Sequence, residues 1–383
     1  MSYRRITFSL ALVLALPWAA RAESSADAAE RLSEIGARIA KDSQGGIEAI
    51  DLDSVWLADS DVSLVSAFPR LGRLSLSHTR ITDLGVQHLK SLKSLEELDV
   101  SFVQRFTDAG IASLLDMHKL RRLALRGTPV TSRILPAVAM LTELEDLDLS
   151  YTHVSDENFD ELLALSKLRR LSIGGTRVTG AVLPLLRLLP ELEELDLGGV
   201  QRVDSGLWGF ALSEANTVEL AKLDKLRSLD LGGATLRDTA LDRAKRTSVD
   251  RREMVQIAKL GALTNLRKLD LSGLSASSFD LRFLKELEDL RELNLSIAQG
   301  VDDEIAPTLE ALPLLEVLHL SGSNVGDPTL EALGKFENLK RLSVGGTKVT
   351  AGSVERFREL RPDCTVAWFP KRQEPVGPDD TEH

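Results

Sequence analysis

The chain has 383 residues, of which 43% are hydrophobic and 27% are charged, and its formal net charge is −11. This acidic balance argues against binding to nucleic acid or to anionic membrane surfaces. The single cysteine, Cys364, excludes an internal disulfide and a zinc site built on several cysteines, so stability must come from a buried core.

The first residues have the pattern of a secretory signal peptide. Arg4 and Arg5 precede an apolar stretch at 6–17, and Ala-Arg-Ala at 20–22 fits a small-x-small cleavage site. The stretch is shorter than the roughly 20 residues that a membrane span needs. We therefore predict cleavage after residue 22 and export to the periplasm or the exterior, with no membrane span afterwards. The mature chain then has 44 basic and 58 acidic residues, a charge of −14.

Residues 23–46 carry an amphipathic pattern ahead of the repeats described next. Ala29, Leu32, Ile35 and Ile39 fall on one face of a predicted helix. We expect residues 23–46 to form a helical cap that covers the core where the repeats begin.

Residues 47–364 repeat a unit of the form L-x-x-L-x-L. The twelve units start at positions 47, 71, 95, 120, 144, 168, 192, 226, 266, 290, 315 and 339. Seven of the intervals are 24 residues, whereas the units that start at 192 and 226 are 34 and 40 residues long. The fourth position is Leu in every unit except the first, which has Ile50, and the sixth is always Leu, Val or Ile.

Each unit predicts a strand, a turn and a helix. The L-x-L alternation is typical of a short strand with one buried face. Thr82 and Ser155, each followed by Asp, are predicted helix N-caps, and Val86, Leu89 and Leu92 follow at helical spacing. Since one strand and one helix cannot bury their own apolar face, the units must stack into a solenoid with a continuous parallel sheet.

This pattern resembles the leucine-rich repeat family over nearly the whole mature chain. Its T-x-V-T-D segments are similar to bacterial exported repeat proteins and to the cysteine-containing, ribonuclease-inhibitor-like class, without an F-box. Where the commonest family form has Asn at the ninth position, several units have Thr: Thr79, Thr128, Thr152, Thr176 and Thr347. The resemblance implies an α/β solenoid of about twelve repeats, with a curved parallel sheet on the concave face and helices on the convex face.

Charged pairs alternate in sign along the second and third positions of successive strands. Acidic pairs at 96–97, 145–146 and 193–194 alternate with arginine pairs at 121–122 and 169–170. Adjacent strands lie about 4.8 Å apart, so each acidic pair is expected beside a basic pair. The pattern fits either a cross-strand ion ladder or a charge-patterned docking surface.

The fifth position is rich in aspartate. The candidate partner-binding carboxylates at this position are Asp99, Asp148, Asp196, Asp230 and Asp270. The last three fall on successive strands and predict either salt-bridged surface or an acidic strip that receives a basic partner. Because carboxylates in a flat row converge poorly on one ion, we predict no metal site and no cofactor.

Aromatic side chains occupy the eighth position near one end of the sheet. These are Phe102 and Tyr151, with His78 beside them. Exposed aromatics at the rim of a sheet are common anchors of protein interfaces. We therefore include Phe102 and Tyr151 among the candidate partner-binding residues.

The two long units predict insertions near 207–216 and 240–255, between the turn and the helix. The first insertion contains Trp208 and Phe210, and the second contains five basic residues: Arg243, Lys245, Arg246, Arg251 and Arg252. The two long units are neighbours and their insertions emerge on the same side, so we predict that the insertions form one lobe. Long loops in a compact solenoid are usually functional or disordered. The basic run is open to three interpretations: a solvated helix extension, a segment docked on the chain's own acidic face, or a contact for an anionic partner.

The last residues, 365–383, are predicted to form a terminal strand and then a disordered tail. Cys364, Val366 and Trp368 alternate as in one more strand, and we expect the Cys364 thiol to be buried and structural. The tail from Lys371 is polar and contains two prolines.

No motif in the chain indicates catalysis. The histidines are scattered along the repeats, and His78 is near a predicted acid, Asp99, but is paired with no nucleophile in a recognisable motif. The sequence therefore predicts an exported, non-catalytic scaffold that binds a protein partner through the concave face and the lobe. The alternative is a structural or adhesive envelope protein that binds glycan or a surface polymer.

Overall fold

The computed structural model describes residues 24–203, 206–236 and 257–371. The predicted signal peptide, the basic run at 243–252 and the tail beyond Lys371 lie outside these ranges. The strands, in chain order, are β1 (Arg38–Lys41), β2 (Ile47–Asp51), β3 (Arg73–Ser75), β4 (Glu97–Asp99), β5 (Arg122–Ala124), β6 (Asp146–Asp148), β7 (Arg170–Ser172), β8 (Glu194–Asp196), β9 (Val200–Val203), β10 (Gly206–Gly209), β11 (Ala211–Leu212), β12 (Ser228–Asp230), β13 (Thr235–Leu236), β14 (Lys268–Asp270), β15 (Glu292–Asn294), β16 (Val317–His319), β17 (Arg341–Ser343) and β18 (Thr365–Ala367).

One sheet of 14 strands runs through the whole solenoid in the order β1–β8, β12, β14–β18. Every pair in it is parallel except β1 with β2, which is antiparallel. The twelve predicted repeat strands are all present, with β1 and β18 added at the two edges. The fold is the predicted α/β solenoid with its sheet on the concave face.

The core lies on the inner face of this sheet. In the second repeat Leu71, Leu74 and Leu76, the first, fourth and sixth positions, are at most 3% exposed. The equivalent residues of the other repeats belong to the same continuous hydrophobic cluster, except Ile47 of the first repeat, which is half-buried and packs against it. Burying each leucine stabilises the fold by about 1.5–3 kcal/mol, which explains why the L-x-x-L-x-L spacing does not vary.

The convex side is built from short helical segments. The α-helices are α1 (Ser25–Glu34), α2 (Asp59–Val62), α3 (Asp83–Gln87), α4 (Asp108–Ile111), α5 (Leu135–Val138), α6 (Leu183–Leu186), α7 (Glu214–Leu220), α8 (Ala306–Leu309), α9 (Asp327–Leu333) and α10 (Ala351–Leu360). The 3₁₀ helices span Ser63–Ala67, His88–Ser91, Ser132–Ile134, Phe159–Ala164, Gly180–Val182, Lys259–Ala262, Asp280–Glu286 and Asp303–Ile305. A 24-residue unit leaves little length for this side, so the tighter 3₁₀ form often replaces or extends the α-helix.

One of the two predicted N-caps is confirmed and the other is wrong. Thr82 caps α3, because its hydroxyl accepts from the Leu84 N–H at 3.2 Å. Ser155 caps nothing, since the helical segment of its repeat begins only at Phe159. Its hydroxyl instead lies 3.0 Å from that of Ser132 in the preceding repeat.

The threonines at the ninth position close the turn after each strand. Thr79 donates its hydroxyl proton to the Leu76 carbonyl at 2.7 Å, and Thr152 does the same to Leu149 at 2.6 Å. Both threonines are at most 4% exposed. A buried hydroxyl that bonds its own turn thus takes the place of the asparagine of the commonest repeat form.

An aspartate at one phase of the repeat links five pairs of neighbouring repeats. It accepts both the backbone N–H and the hydroxyl of a threonine one repeat later, at 2.6–2.9 Å. We call these pairs Asp–Thr bridges: Asp59–Thr82, Asp83–Thr107, Asp108–Thr131, Asp156–Thr179 and Asp327–Thr350.

Both ends of the solenoid are capped. Helix α1 buries Ala28 and Leu32 but ends at Glu34, so the prediction that Ile39 lies on this helix is wrong. Residue 39 instead lies on β1, whose antiparallel pairing covers the edge of β2. At the other end β18 forms as predicted, and Cys364 is buried, which raises the pKa of its thiol.

The first insertion starts earlier than predicted. Strands β9 and β10 form an antiparallel hairpin directly after β8, and β11 then pairs in parallel with β13 of the next repeat. Residues 214–220, which the sequence placed partly in the insertion, are the convex helix α7 of the repeat itself. The apolar residue that closes this helix, Leu220, anchors it in the core.

We expect Asp108→Ala to lower the free energy of unfolding by about 1–3 kcal/mol, because it removes two charge-assisted hydrogen bonds to Thr131. Urea unfolding followed by circular dichroism measures this change. The matched control is Asp116→Ala, whose carboxylate pairs with Lys93 on the exposed surface and should matter little. Equal unfolding midpoints for the two variants would contradict a structural role for the Asp–Thr bridges.

Candidate binding site on the concave face

A groove of about 670 Å³ crosses nine strands of the concave face, β2–β8, β12 and β14. Eight acidic residues line it, namely Asp51, Glu97, Asp99, Asp146, Asp148, Glu194, Asp196 and Asp230. The basic residues that line it are four: Arg73, Arg122, Arg170 and Lys268. The excess of carboxylates gives the groove a negative potential that attracts a cationic ligand.

The second and third positions form the cross-strand ion ladder. Arg122 lies 3.1 Å from Glu97, and Arg170 lies 2.8 Å from Asp146. The second position continues the ladder, with Arg169 at 3.0 Å from the Glu193 carboxylate. These charges therefore neutralise one another, and the net negative charge of the groove comes from the fifth position.

The five predicted carboxylates of the fifth position lie in one row across the sheet. Asp196, Asp230 and Asp270 are on adjacent strands, whereas Ala124 and Ser172 separate Asp99, Asp148 and Asp196. One oxygen of each accepts the backbone N–H two residues further on, at 2.7–2.8 Å. The second oxygen of Asp270 accepts from Asn294, and that of Asp148 lies 3.8 Å from Arg126. For Asp99, Asp196 and Asp230, the described part of the chain provides no partner for the second oxygen.

Asp196 and Asp230 are partly desolvated. Glycines occupy the seventh position beside them, so each carboxylate lies close to the neighbouring backbone; a Cβ at Gly174 would be 2.9 Å from the Asp196 oxygen. Burial, and then the charge of Asp230, raises the pKa of Asp196 to about 6. Burial is also the first cause that raises the pKa of Asp230, and the charge of Asp270 adds to it.

We predict that Asp196→Asn stabilises the protein at neutral pH. The folded-state pKa of Asp196 lies above its unfolded value, so the ionised carboxylate destabilises the fold above about pH 6. Asparagine removes the charge and keeps the oxygen that accepts from Gly198, as Asn294 does in its own repeat. Urea unfolding at pH 7.5 should show a gain of about 1–2 kcal/mol.

The same comparison at pH 4 should show almost no gain, because the folded wild-type carboxyl group is then protonated. The control is Asp99→Asn, since the strands on either side of Asp99 carry Ser75 and Ala124 rather than a carboxylate. A gain of the same size and pH dependence in that variant would argue against an effect specific to the neighbouring carboxylates.

The eighth position has a left-handed backbone in all twelve repeats, with φ between 54° and 92°. Seven repeats place glycine there, and five place Ser54, His78, Phe102, Tyr151 or Ile297. An L-residue in this region costs about 1–2 kcal/mol. The aromatic side chains at this position therefore destabilise the backbone locally, which points to a role other than stability.

Three of these side chains form what we call the aromatic rim: His78, Phe102 and Tyr151. A further exposed aromatic residue, Trp56, lies at the tenth position of the first repeat. The His78 and Phe102 rings stack with centroids 4.6 Å apart, and Phe102 is 38% exposed. The Arg126 guanidinium lies 4.7 Å from the Tyr151 ring centroid. Trp56, which is 77% exposed, stacks on a guanidinium in the same way, at 4.1 Å.

The expected approach of His78 to Asp99 is wrong. The His78 Nδ1 atom lies 3.0 Å from Asp53, on the preceding repeat. A hydrogen bond from Ser77, followed by the one with His78, lowers the pKa of Asp53. The Ser77 hydroxyl lies 3.3 Å from the same His78 nitrogen and donates to Asp53 at 2.6 Å, while the His78 ring stacks on Phe102.

The glycines of the next repeats make room for the rim. A Cβ at Gly175 would lie 2.8 Å from the Tyr151 ring, whereas a Cβ at Gly273 would meet nothing closer than 3.8 Å. Both glycines have a φ near 65–70°. Their alanine variants therefore share the backbone cost and differ only in contact with the rim.

Gly273→Ala should lower stability by about 1 kcal/mol, and Gly175→Ala by about 2–3 kcal/mol, because only the second displaces a packed ring. Urea unfolding of the two variants measures the difference. Equal losses would mean that Tyr151 is not packed against Gly175.

The predicted lobe residues divide into two groups. Phe210 is only 6% exposed and packs in the hydrophobic core, so the structure corrects its assignment to a contact surface. The backbone of Trp208 lies on β10 of the hairpin. The basic residues Arg243, Lys245, Arg246, Arg251 and Arg252 lie outside the described residues.

Sequence reasoning missed Trp56 and the arginines that stack on aromatic rings, Arg80 on Trp56 and Arg126 on Tyr151. The signal that could have found the rim is the eighth position itself. Seven glycines at one repeat phase indicate a left-handed backbone, so a bulky residue at the same phase is an exception that needs a reason.

Within residues 24–203, 206–236 and 257–371, no group of three or more His, Cys, Asp or Glu side chains is placed to hold a metal ion. Over the same ranges, no helix has the length and apolar character needed to cross a bilayer.

The fold and the groove define a leucine-rich repeat solenoid. A family model described as a leucine-rich repeat region matches residues 75–370, and the chain belongs to that family. Leucine-rich repeat proteins commonly act as protein-interaction scaffolds. A comparison with curated proteins found no match.

Solved structures share this fold at low sequence identity. An internalin from Listeria monocytogenes is 19% identical to this chain and has a TM-score of 0.53. The match covers 91% of this chain and 95% of the internalin chain. The Arabidopsis receptor kinase HAESA, solved with the peptide hormone IDA and the co-receptor SERK1, is 15% identical and has a TM-score of 0.50. That match covers 81% of this chain and 52% of the other. At these identities the likeness is one of fold.

Proposed function

We propose that this protein is an exported, non-catalytic scaffold that binds a protein partner in the groove and along the aromatic rim. The observation that carries the proposal is the set of carboxylates at the fifth position. Asp196 and Asp230 are desolvated next to each other, although asparagine at the same position keeps the same backbone hydrogen bond. Retaining a destabilising charge where a neutral residue fits favours a functional role.

The rim supports the same conclusion independently. Phe102 and Tyr151 stand in a left-handed backbone where glycine is the neutral choice. Partly exposed aromatic side chains beside a charged groove are the usual anchors of protein interfaces. A partner with cationic side chains for the groove and apolar ones for the rim satisfies both features.

Export rests on the sequence. The basic start, the apolar stretch and the small-x-small site at 20–22 support a cleaved signal peptide, and with it a periplasmic or extracellular location. The T-x-V-T-D repeats support assignment to the bacterial exported type, close to the ribonuclease-inhibitor-like class. We assign the basic run at 243–252 and Trp208 to the contact surface for an anionic region of the same partner.

Site-specific photo-crosslinking tests the binding face. A photoreactive amino acid replaces Ala124, which is small and lies at the fifth position in the middle of the groove. The control position is Met140, which is 57% exposed beyond the convex helix α5. We expect one partner, identified by mass spectrometry from envelope or culture fractions, to crosslink at Ala124 and not at Met140.

A partner that crosslinks at residue 140 alone would overturn the concave-face assignment. The exposed Trp56 ring favours a second candidate, a glycan ligand, because sugar rings stack on exposed aromatic faces. An adduct at Ala124 that resists protease and is removed by glycan-degrading treatment would establish that candidate in place of the protein partner.

A further inference from the structure

The charges of the groove alternate with a period of two repeats. Over β2–β8 the fifth position is in register and alternates between aspartate and a small residue, in the order Asp51, Ser75, Asp99, Ala124, Asp148, Ser172, Asp196. The third position of β4, β6 and β8 is also acidic, whereas that of β3, β5 and β7 is arginine. Over β2–β8 the groove is therefore crossed by acidic stripes on every second strand, and the alternation ends at β12, where Asp230 lies beside Asp196.

This alternation sets a distance along the groove. Neighbouring strands lie about 4.8 Å apart, so the carboxylates of successive stripes are separated by about 9.6 Å. At the third position, arginines such as Arg122 and Arg170 already pair with the acidic residues of the neighbouring strands. The second carboxylate oxygens of Asp99 and Asp196 carry no such pairing among the described residues, so they are the acceptors that a ligand meets.

The groove runs across the strands of the sheet, from β2 to β14, over about 38 Å. A ligand that follows the groove therefore crosses the strands and meets the acidic stripes one after another.

Among regular backbone conformations, one has the matching period. A polyproline-II helix rises about 3.1 Å per residue and has three residues per turn, so side chains recur on one face every 9.3 Å or so. In a β-strand the same face recurs after two residues, about 6.8 Å, which does not match the stripes. An α-helix recurs after seven residues, about 10.5 Å, so its side chains fall out of step with the stripes by about 0.9 Å at each one, against about 0.3 Å for polyproline II.

We propose that the groove receives a polyproline-II segment of the partner that carries lysine or arginine at every third residue. This inference rests on the proposed function and specifies the ligand. Each cationic side chain meets one acidic stripe, at Asp99, Asp148 or Asp196. The residues between them are proline or apolar, and one of each pair faces the aromatic rim, since polyproline-II segments dock on aromatic-lined grooves.

Synthetic peptides test the spacing directly. The probe is a fluorescein-labelled peptide of four Lys-Pro-Pro units, and its control has the same composition with the four lysines adjacent. Fluorescence anisotropy against the mature chain at physiological salt should give at least about tenfold tighter binding for the periodic peptide. Equal charge in the two peptides cancels non-specific attraction to an acidic protein.

Variants of the protein complete the test. The triple variant Asp99→Asn, Asp148→Asn, Asp196→Asn keeps the backbone-capping oxygens and should abolish the preference for the periodic peptide. The matched control is Glu288→Gln, Glu331→Gln, Glu355→Gln, which removes three exposed charges outside the groove and should leave the preference intact. Loss of the preference in both variants would overturn the assignment to the groove.

Equal affinity for both peptides, or binding of neither, would overturn the proposal that the ligand carries a cationic side chain at every third residue. Tighter binding of a helical peptide with lysine at every seventh residue would also overturn it. The crosslink at Ala124 separates these failures from failure of the proposed function. A partner captured there by a protein that ignores the periodic peptide would leave the scaffold assignment standing and reject only the ligand geometry.

Discussion

No repeat of this chain can bury its own apolar face, and this constraint sets the rest of the structure. A three-residue strand and one or two helical turns expose most of their leucines until a neighbour covers them. The neighbour must be in register, because a slip of one residue would turn each buried leucine to solvent. Register therefore fixes not only the core but also every row of side chains on the opposite face.

That fixed register turns a sequence pattern into a surface. Residues 24 or 25 positions apart become neighbours on adjacent strands, and a row such as Asp99, Ala124 and Asp148 forms without any local signal. Side chains on the concave face do not share in the core, so they are free to vary. The two conditions together allow a uniform scaffold to carry a specific arrangement of charge and aromatic rings.

The strands, their order and the buried positions were predictable from the sequence, because the leucine spacing alone determines them. The ion ladder was predictable as one of two interpretations, since opposite charges at one repeat phase must meet. The limits of the first insertion were misplaced and its hairpin of β9 and β10 was not predicted, because an insertion has no repeat phase to fix its limits. Phe210 was misassigned for the same reason: its repeat position was unknown, so its burial could not be inferred.

Other features depend on neighbours that a single repeat does not reveal. The desolvation of Asp196 results from glycine at the seventh position of the repeats around it. The hydrogen-bond partner of His78 is Asp53 on the preceding repeat. The sequence does not show toward which neighbouring repeat a side chain on a left-handed backbone turns. Ser155 resembles a capping residue in sequence, but its hydroxyl bonds the preceding repeat and the helical segment begins later.

The Asp–Thr bridges have a mechanical consequence. They join repeats one to four and five to six on one flank, with the Ser132–Ser155 contact between the two groups, and they return in the last repeats, where Asp327 holds Thr350. Ser278 bonds Asp302 and Asp303 bonds Thr329 between repeats nine and eleven, and β11 pairs with β13 between repeats seven and eight. The flank of the solenoid is therefore fastened by polar contacts that are independent of the leucine core. A change in the curvature of the sheet must stretch these hydrogen bonds as well as the core packing.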